Sequence, residues 1–261
     1  MPEVEHPVLV EEVAGWIADA DRVTVLTGAG VSTASGIPDF RGPQGVWTRE
    51  PEAERLSSID AYVADPEVRR EVWRRRITTH GGSYAPNAAH HALVDLERLG
   101  RMDLLVTQNV DGLHLDAGTS PGRLVEIHGT AREVACLACH DRQPTEPVFD
   151  RVRAGEEDPP CERCGGILKS ATVSFGQALD PHDLQRAHEA ASACDLMLTA
   201  GTSLVVYPVA LLPRTAQEAG ARLVVVNAED TPYDDRADAV LRGDAGEVLT
   251  DIVEHVRARI G

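Results

Sequence analysis

The chain has 261 residues, 43% of them hydrophobic and 26% charged, values that exclude wholesale disorder and allow one large domain, alone or carrying a small one. Lys and Arg number 25 against 42 Asp and Glu, a formal net charge of −17, so the surface repels phosphate backbones and anionic lipid, and neither nucleic acid nor membrane is expected as a partner. The same charge suits cationic peptide segments, or serves solubility alone.

The opening MPEVEHPVLVEE has no basic stretch ahead of an apolar one, and no apolar run nears the roughly 20 residues of a membrane span. A cytoplasmic protein is expected. Leu9, Val10, Val13, Ala14 and Ile17 recur at helical spacing and predict a helix over 8–20. The β-branched run Val23–Thr27 reads as a buried parallel strand that stops at Gly28. Similar runs stand at Leu104–Thr107, Leu124–Ile127, Leu196–Thr199 and Leu223–Val226. Between them lie helical stretches: one capped by Asn87 and running to Leu99, one opened by Pro181 and reaching Ala193, one from Pro208 to Ala219, and a last from Ala245 to Ile260. This alternation predicts an α/β fold, a doubly wound parallel sheet of Rossmann-like type.

Two stretches interrupt the alternation. Residues 39–85 hold DFRGPQGVW and the polar helical segment DPEVRREVWRRRITT, and residues 131–171 hold two cysteine pairs and the loop-like RAGEEDPP. Both are expected as insertions at the carboxyl edge of the strands, where open α/β folds place their crevice. The organisation expected is a discontinuous large domain of residues 1–38, 86–130 and 172–261, a loop with a helical insert over 39–85, and a small zinc-binding module over 131–171.

Gly28-Ala29-Gly30 follows the first strand directly, and its backbone N–H groups are able to approach a pyrophosphate. The run GAGVSTASG has its next glycine only at Gly36, and no acidic residue on a second strand stands ready for a ribose. An ordinary hydride-transferring dehydrogenase is therefore disfavoured. TQNVDGLH, ending at His114, and His128-Gly129 terminate two further strands on the same sheet edge, so they converge on one crevice. His128, with an unperturbed pKa of about 6.5, suits a general base near neutrality, or a cap on a strand end. His114 is expected to be structural, and His80, His90 and His91 have no assigned role.

Cys136-x-x-Cys139, then 21 residues, then Cys161-x-x-Cys164-Gly-Gly predicts one structural zinc held by four thiolates and closed to catalysis. A redox pair and a nucleic-acid zinc ribbon are the alternatives, and the neighbouring EEDPP speaks against the second. Cys194 is expected as a small core residue.

The stretches GAGVSTASGIPDFRG, TQNVDGLHLDAG, IHG, the spaced cysteines, VSFGQ, GTSLVVYP and VVVN follow one another in that order. From about residue 20 to 250 the chain thereby resembles the sirtuins, the NAD-dependent protein deacylases of the silent-information-regulator family. The resemblance implies NAD as co-substrate, acyl-lysine proteins or peptides as substrates, and a monomer. It places Gly28, Ala29, Gly30, Ser32, Ile37, Asp39, Phe40, Arg41 and Trp47 around the dinucleotide. Gln108, Asn109 and Asp111 fall at the nicotinamide ribose and amide, Gly201, Thr202 and Ser203 at the phosphates and ribose, and Asn227, Ala228 and Ala245 at the adenosine end. Val173, Phe175 and Gly176 fall where a peptide adds as an extra strand. His128 becomes the catalytic base, with Asn109 beside it in the catalytic set.

In the implied reaction the acyl oxygen attacks C1′ of the nicotinamide ribose as nicotinamide departs, with Asp39 or Asp111 stabilising the developing positive charge. His128 then activates a ribose hydroxyl that captures the acyl carbon, and the products are lysine and an O-acyl-ADP-ribose. Relatives that prefer acidic acyl groups carry a Tyr and an Arg three apart. Here the stretch is Trp73-Arg74-Arg75-Arg76, with the Arg present and the Tyr replaced by Trp: Arg76 offers a bidentate grip on a carboxylate as one reading, but neutral acyl groups are expected and the arginine run reads as a solvated or acidic-partner face. Ser170 and Gln177 replace the family's usual Pro and Glu beside the peptide strand, which bears on peptide preference. ADP-ribosyl transfer to protein shares the NAD-cleaving site and stays open as an alternative. A non-catalytic NAD or ADP-ribose sensor would need no base, and the presence of His128 and Asn109 argues against it. Lys169 is the only lysine, a usage explained by codon bias or by an advantage to a chain that acts on lysine.

Overall fold

In a computed structural model, the described residues are 6–39, 45, 49, 55–80 and 84–261; Phe40, Arg41 and Trp47 lie outside them. Strands are β1 (Val23–Thr27), β2 (Leu104–Thr107), β3 (Leu124–Glu126), β4 (Gly129–Cys136), β5 (Arg142–Pro144), β6 (Leu168–Thr172), β7 (Leu196–Ala200), β8 (Arg222–Val226) and β9 (Ala239–Leu241). Helices are α1 (His6–Asp19), α2 (Ile59–Ala64), α3 (Pro66–His80), α4 (Ala88–Arg98), α5 (Leu113–Ala117), α6 (Thr145–Arg153), α7 (Pro181–Ala193), α8 (Leu212–Glu218) and α9 (Ala245–Ile260).

Six strands pair in the order β3-β2-β1-β7-β8-β9, all parallel. Both faces are covered, which is why β1, β2 and β7 are buried along their whole length rather than alternating. On one face Val10, Val13 and Ile17 of α1, Leu93 and Leu96 of α4, and Ile252 and Val256 of α9 pack on Val25, Leu105 and Leu198. On the other, Ala187 and Ala191 of α7 and Leu212 and Ala216 of α8 pack on Leu26, Val106 and Val225. Cys194 is buried in this second layer, as expected. From β1 the chain winds outward to β2 and β3, and from β7 the opposite way to β8 and β9. The order reverses between β1 and β7, so the crevice opens at their carboxyl ends.

Local chemistry sets the helix starts. Asp180 accepts from His182 N at 2.9 Å and Asp244 from Gly246 N at 2.8 Å, each satisfying an orphan donor of the first turn. The helix expected from Pro208 is instead a 3₁₀ turn, Val209–Leu211, followed by α8. Pro213 lacks an N–H and tolerates only the first turn of a helix, so α8 begins around it. The sequence reading also lacks β9, whose three residues are too few for a periodic signal.

The cysteine region is more regular than a loop. β5-β4-β6 form an antiparallel sheet, and α6 packs on it through Val148 and Phe149. The helical insert joins the same core: Trp73 of α3 is 1% exposed and meets Phe149 edge-on at 6.3 Å between ring centroids. Tyr62 Oη donates to Leu168 O at 2.7 Å and Arg69 Nε to Asp158 at 2.8 Å. Insert and cysteine module thus share one hydrophobic cluster. The solvated arginine face holds for Arg74, which is exposed, but not for Arg76. One helical turn separates Trp73 from Arg76, so a helix that buries the first turns the second inward as well.

Candidate active site

One cleft of about 1570 Å³ lies at the switch point. Every described residue that the sequence assigns to dinucleotide, peptide or catalysis lines it: Gly28, Ala29, Gly30, Ser32, Ile37, Asp39, Gln108, Asn109, Asp111, His128, Val173, Phe175, Gly176, Gly201, Thr202, Ser203, Asn227, Ala228 and Ala245. The carboxyl ends of β1, β2, β7 and β8 bring these segments together.

The glycine loop is shaped by contact with the loop after β7. Gly30 N donates to Gly201 O at 2.8 Å, and a Cβ on Gly30 would stand 2.7 Å from Gly201 Cα. No larger residue fits there without moving backbone. The 3₁₀ turn Ala29–Ser35 follows, with its N-terminal end on the cleft, where backbone N–H groups favour anions.

A hydrogen-bond chain builds the floor. Asn109 Nδ2 donates to Ser32 Oγ at 3.0 Å, Ser32 Oγ donates to Asp111 Oδ2 at 2.8 Å, and Asp111 Oδ1 accepts from Leu113 N at 2.9 Å. Gln108 Nε2 donates to Thr202 Oγ1 at 2.8 Å, tying β2 to the β7 loop. Asn109 N donates to Thr107 Oγ1 at 3.1 Å, and Thr107 Oγ1 accepts from Thr27 Oγ1 at 2.8 Å. Side chains so restrained are held for a ligand without further ordering cost.

His128 sits just past the end of β3. Its Nδ1 is 3.1 Å from Gln108 O, and a carbonyl only accepts, so Nδ1 carries the proton and Nε2 keeps its lone pair. Burial pushes its pKa below the usual histidine value, against the opposing pull of the Gln108 carbonyl. The side chain is thus a neutral base at pH 7. Val173 N donates to His128 O at 2.8 Å, so the peptide segment is anchored to the residue beside which it runs. Phe175 N donates to Ser57 O at 2.8 Å and Phe175 O accepts from Ile59 N at 3.0 Å. The Phe175 main chain is therefore engaged by the segment entering α2, and an added peptide strand must use the other edge.

The sequence reading gave Lys169 no place in this cleft and preferred a solvated face for Arg76 over a grip on an acyl carboxylate, yet both line it. Arg76 Nη2 donates to Thr172 Oγ1 at 3.1 Å. The missing signal was β6: only its pairing with β4 turns Lys169 and Thr172 toward α3.

His114 is structural, as expected: it is buried and its Nε2 lies 3.0 Å from Thr27 Oγ1. His90, given no role, is buried against it, with ring centroids 4.8 Å apart, and its Nδ1 accepts from Asn87 N at 3.3 Å. Burial lowers His90 to about 4 and His114 to about 3. Below pH 6.5 the unfolded chain takes up protons that the folded pair refuses, so stability falls as pH drops from 6.5 toward 4. Near pH 5 the pair contributes a slope of about 2.5 kcal/mol per pH unit. Glu126, raised to about 6 by burial, offsets part of it. Urea unfolding at a series of pH values between 7 and 5 checks this; a flat profile would contradict a neutral pair.

The four cysteine sulfurs lie within 4.8 Å of one another. Cys136 Sγ is 3.5 Å from Cys164 Sγ, and Cys139 Sγ is 3.7 Å from Cys161 Sγ. A tetrahedron with Zn–S bonds of about 2.3 Å has edges of about 3.8 Å, so the donor set fits one zinc. The N–H groups of Cys139 and Ala138 point at Cys136 Sγ and draw its thiol down to about 6, toward the thiolate a metal needs. A Cβ on Gly166 would meet Cys136 Sγ at 3.0 Å, so the second knuckle passes close only because it lacks a side chain.

Among the described residues no helix is long and apolar enough to cross a membrane. Comparison with known proteins agrees with this geometry. The Sir2 family model matches residues 28–208. A Streptomyces coelicolor protein named NAD-dependent protein deacetylase 2 is 53% identical over 227 residues, covering 87% of this chain and 94% of the relative. A solved complex of a Sir2 homolog with NAD shares 38% identity at a TM-score of 0.85, covering 96% of this chain and 95% of that one. A Sir2 protein with a deacetylated p53 peptide and 3′-O-acetyl-ADP-ribose shares 32% identity at a TM-score of 0.85, covering 94% and 97%. With the glycine loop, the neutral histidine and the four-cysteine knuckles in place, the chain belongs to the Sir2 family.

Proposed function

We propose that this chain is an NAD-dependent protein lysine deacylase, releasing nicotinamide and an O-acyl-ADP-ribose, with one structural zinc. The observation that carries the reading is His128: a base whose Nε2 lone pair is free of the Gln108 carbonyl, in the cleft shared by the glycine loop and the peptide segment. Similarity to deacetylases and to complexes with NAD and with a deacetylated peptide supports it.

The roles follow from position. Gly28, Ala29 and Gly30 present backbone N–H groups to the pyrophosphate, and Thr202 and Ser203 face them from the β7 loop. Asn109, Ser32 and Asp111 act as a pre-set polar floor for the nicotinamide end, and Asn227, Ala228 and Ala245 flank the adenosine end. NAD supplies the ribosyl carbon that receives the acyl oxygen as nicotinamide leaves. His128 Nε2 takes the proton of the ribose hydroxyl that captures the acyl carbon, and Nδ1–H stays pinned to Gln108 O, which fixes the ring. Phe40, Arg41 and Trp47 are assigned to the dinucleotide by the family resemblance alone.

The division into a discontinuous large domain, an insert over 39–85 and a module over 131–171 is proposed as well, as are a cytoplasmic monomer and cationic peptide segments as substrates, suited to the net charge of −17. Neutral acyl groups are the first expectation; Arg76 in the cleft wall favours acidic ones as a second reading. Mass spectrometry of acetyl-, long-acyl- and succinyl-lysine peptides incubated with and without NAD tests both. NAD-dependent loss of one acyl group with matching O-acyl-ADP-ribose is the expected result. A covalent mass gain on target protein without acyl loss would point to ADP-ribosyl transfer instead.

A further inference from the structure

The cleft contains a nucleophile that deacylation leaves idle. Lys169, the only lysine, is 4% exposed on β6 and lines the cleft, as do Tyr62, Arg76, Phe149 and Thr172. Its Nζ donates to Ser170 O at 3.2 Å and to Thr172 O. An amine held by two N–H bonds in this way keeps its lone pair off both carbonyls. Its charged neighbour is a second cation, Arg76. Burial, and then the Arg76 charge, bring the amine down to about 7. About half of the molecules are therefore neutral at pH 7, against about one in 2,500 for an ordinary lysine.

We propose that Lys169 is an acylation site of this chain, accepting the acyl group of small thioesters that enter the cleft, and that the acylated form no longer admits an acyl-lysine substrate. The Nζ lone pair attacks the thioester carbonyl carbon, the C–N bond forms and the C–S bond breaks. The thiolate leaves with the electron pair and the nitrogen sheds one proton. Arg76, bonded to Thr172 Oγ1 at 3.1 Å, places positive charge beside the carbonyl oxygen as negative charge gathers on it. The amide formed is neutral, so it removes a cation from a buried site next to Arg76 and suits the setting better than the ammonium does. The acyl group then fills cleft volume between α3 and β6. The blocking half of the proposal rests on the deacylase reading; the acylation half does not.

The test is incubation of the full chain with S-acetyl-N-acetylcysteamine at neutral pH, followed by peptide mapping. The expected result is one acetyl mass on the Lys169 peptide of the folded protein, absent in Lys169→Arg. Labelling confined to the terminal α-amine, or Lys169 labelling only after urea, would overturn the proposal. Deacylation of an acetyl-lysine peptide is expected to fall in proportion to the labelled fraction. Full labelling with undiminished turnover would overturn the blocking half, and an unlabelled chain without turnover would count against the deacylase reading while the label stands.

Discussion

Replacing His128 with alanine is expected to lower the rate of NAD-dependent deacylation by about 10²–10⁴-fold while NAD still binds. The ring contributes one proton acceptor, Nε2, and its removal leaves the dinucleotide contacts intact: the glycine loop is held by Gly201, Gln108 by Thr202, and Asn109 by Ser32. Among the described residues the His128 side chain is attached to this scaffold by one hydrogen bond, to Gln108 O, so its loss should not unfold the floor. In the wild type, depression of the His128 pKa predicts that the acid limb of the kcat/KM profile lies below pH 6.5, since the base is lost only on protonation. Calorimetric titration of NAD into His128→Ala, beside a turnover assay, separates the two effects. Wild-type turnover in the mutant would remove His128 from the chemistry. Loss of NAD binding together with turnover would make it a structural residue.

Chelation of zinc is expected to unfold the cysteine module and to silence turnover with it. Structural zinc contributes on the order of 10 kcal/mol or more to the folding of small modules, and the apolar core here is modest. It consists mainly of Val134, Val148, Phe149, Val152, Leu168 and Trp73 around the knuckles. The consequence for activity follows from connectivity. β4 begins one residue after His128, and β6 runs directly into Val173, whose N–H donates to His128 O at 2.8 Å. Melting β4 and β6 therefore frees both the base and the peptide segment, although no cysteine lines the cleft. A separate early unfolding transition after chelation, reversed by added zinc and matched by loss and recovery of deacylation, is the expected record. An unchanged melting curve would show that the four thiols hold the module without metal.

Two features resisted a reading from sequence for opposite reasons. Arg76 stands in a run of three arginines, a pattern that ordinarily marks a solvated face, and only the docking of Trp73 onto Phe149 turns it inward. His90 follows Asn87 closely and reads as helix surface; its burial depends on α4 packing beneath the cleft floor, where His114 arrives from a distant part of the chain. Neither fact is encoded within a window of neighbouring residues.

The linear chain determined what depends on local order. The strand runs, the Asn87, Asp180 and Asp244 helix starts, the cysteine spacing and the glycine loop all rest on side chains acting within a few residues, where periodicity and backbone chemistry decide the outcome. It also brought the glycine loop, the segment of residues 108–111 and His128 to one edge, because a parallel sheet gathers its carboxyl ends whatever lies between them, whereas Val173, Phe175 and Gly176 were assigned through the family resemblance alone. Tertiary structure alone decided the rest. The antiparallel pairing of β4 with β6, the shared core of insert and module, the neutral state of His128 and the lowered pKa of Lys169 arise from contacts between distant segments. Burial and hydrogen-bond partners, which set protonation, are properties of the packed neighbourhood and not of the residue type.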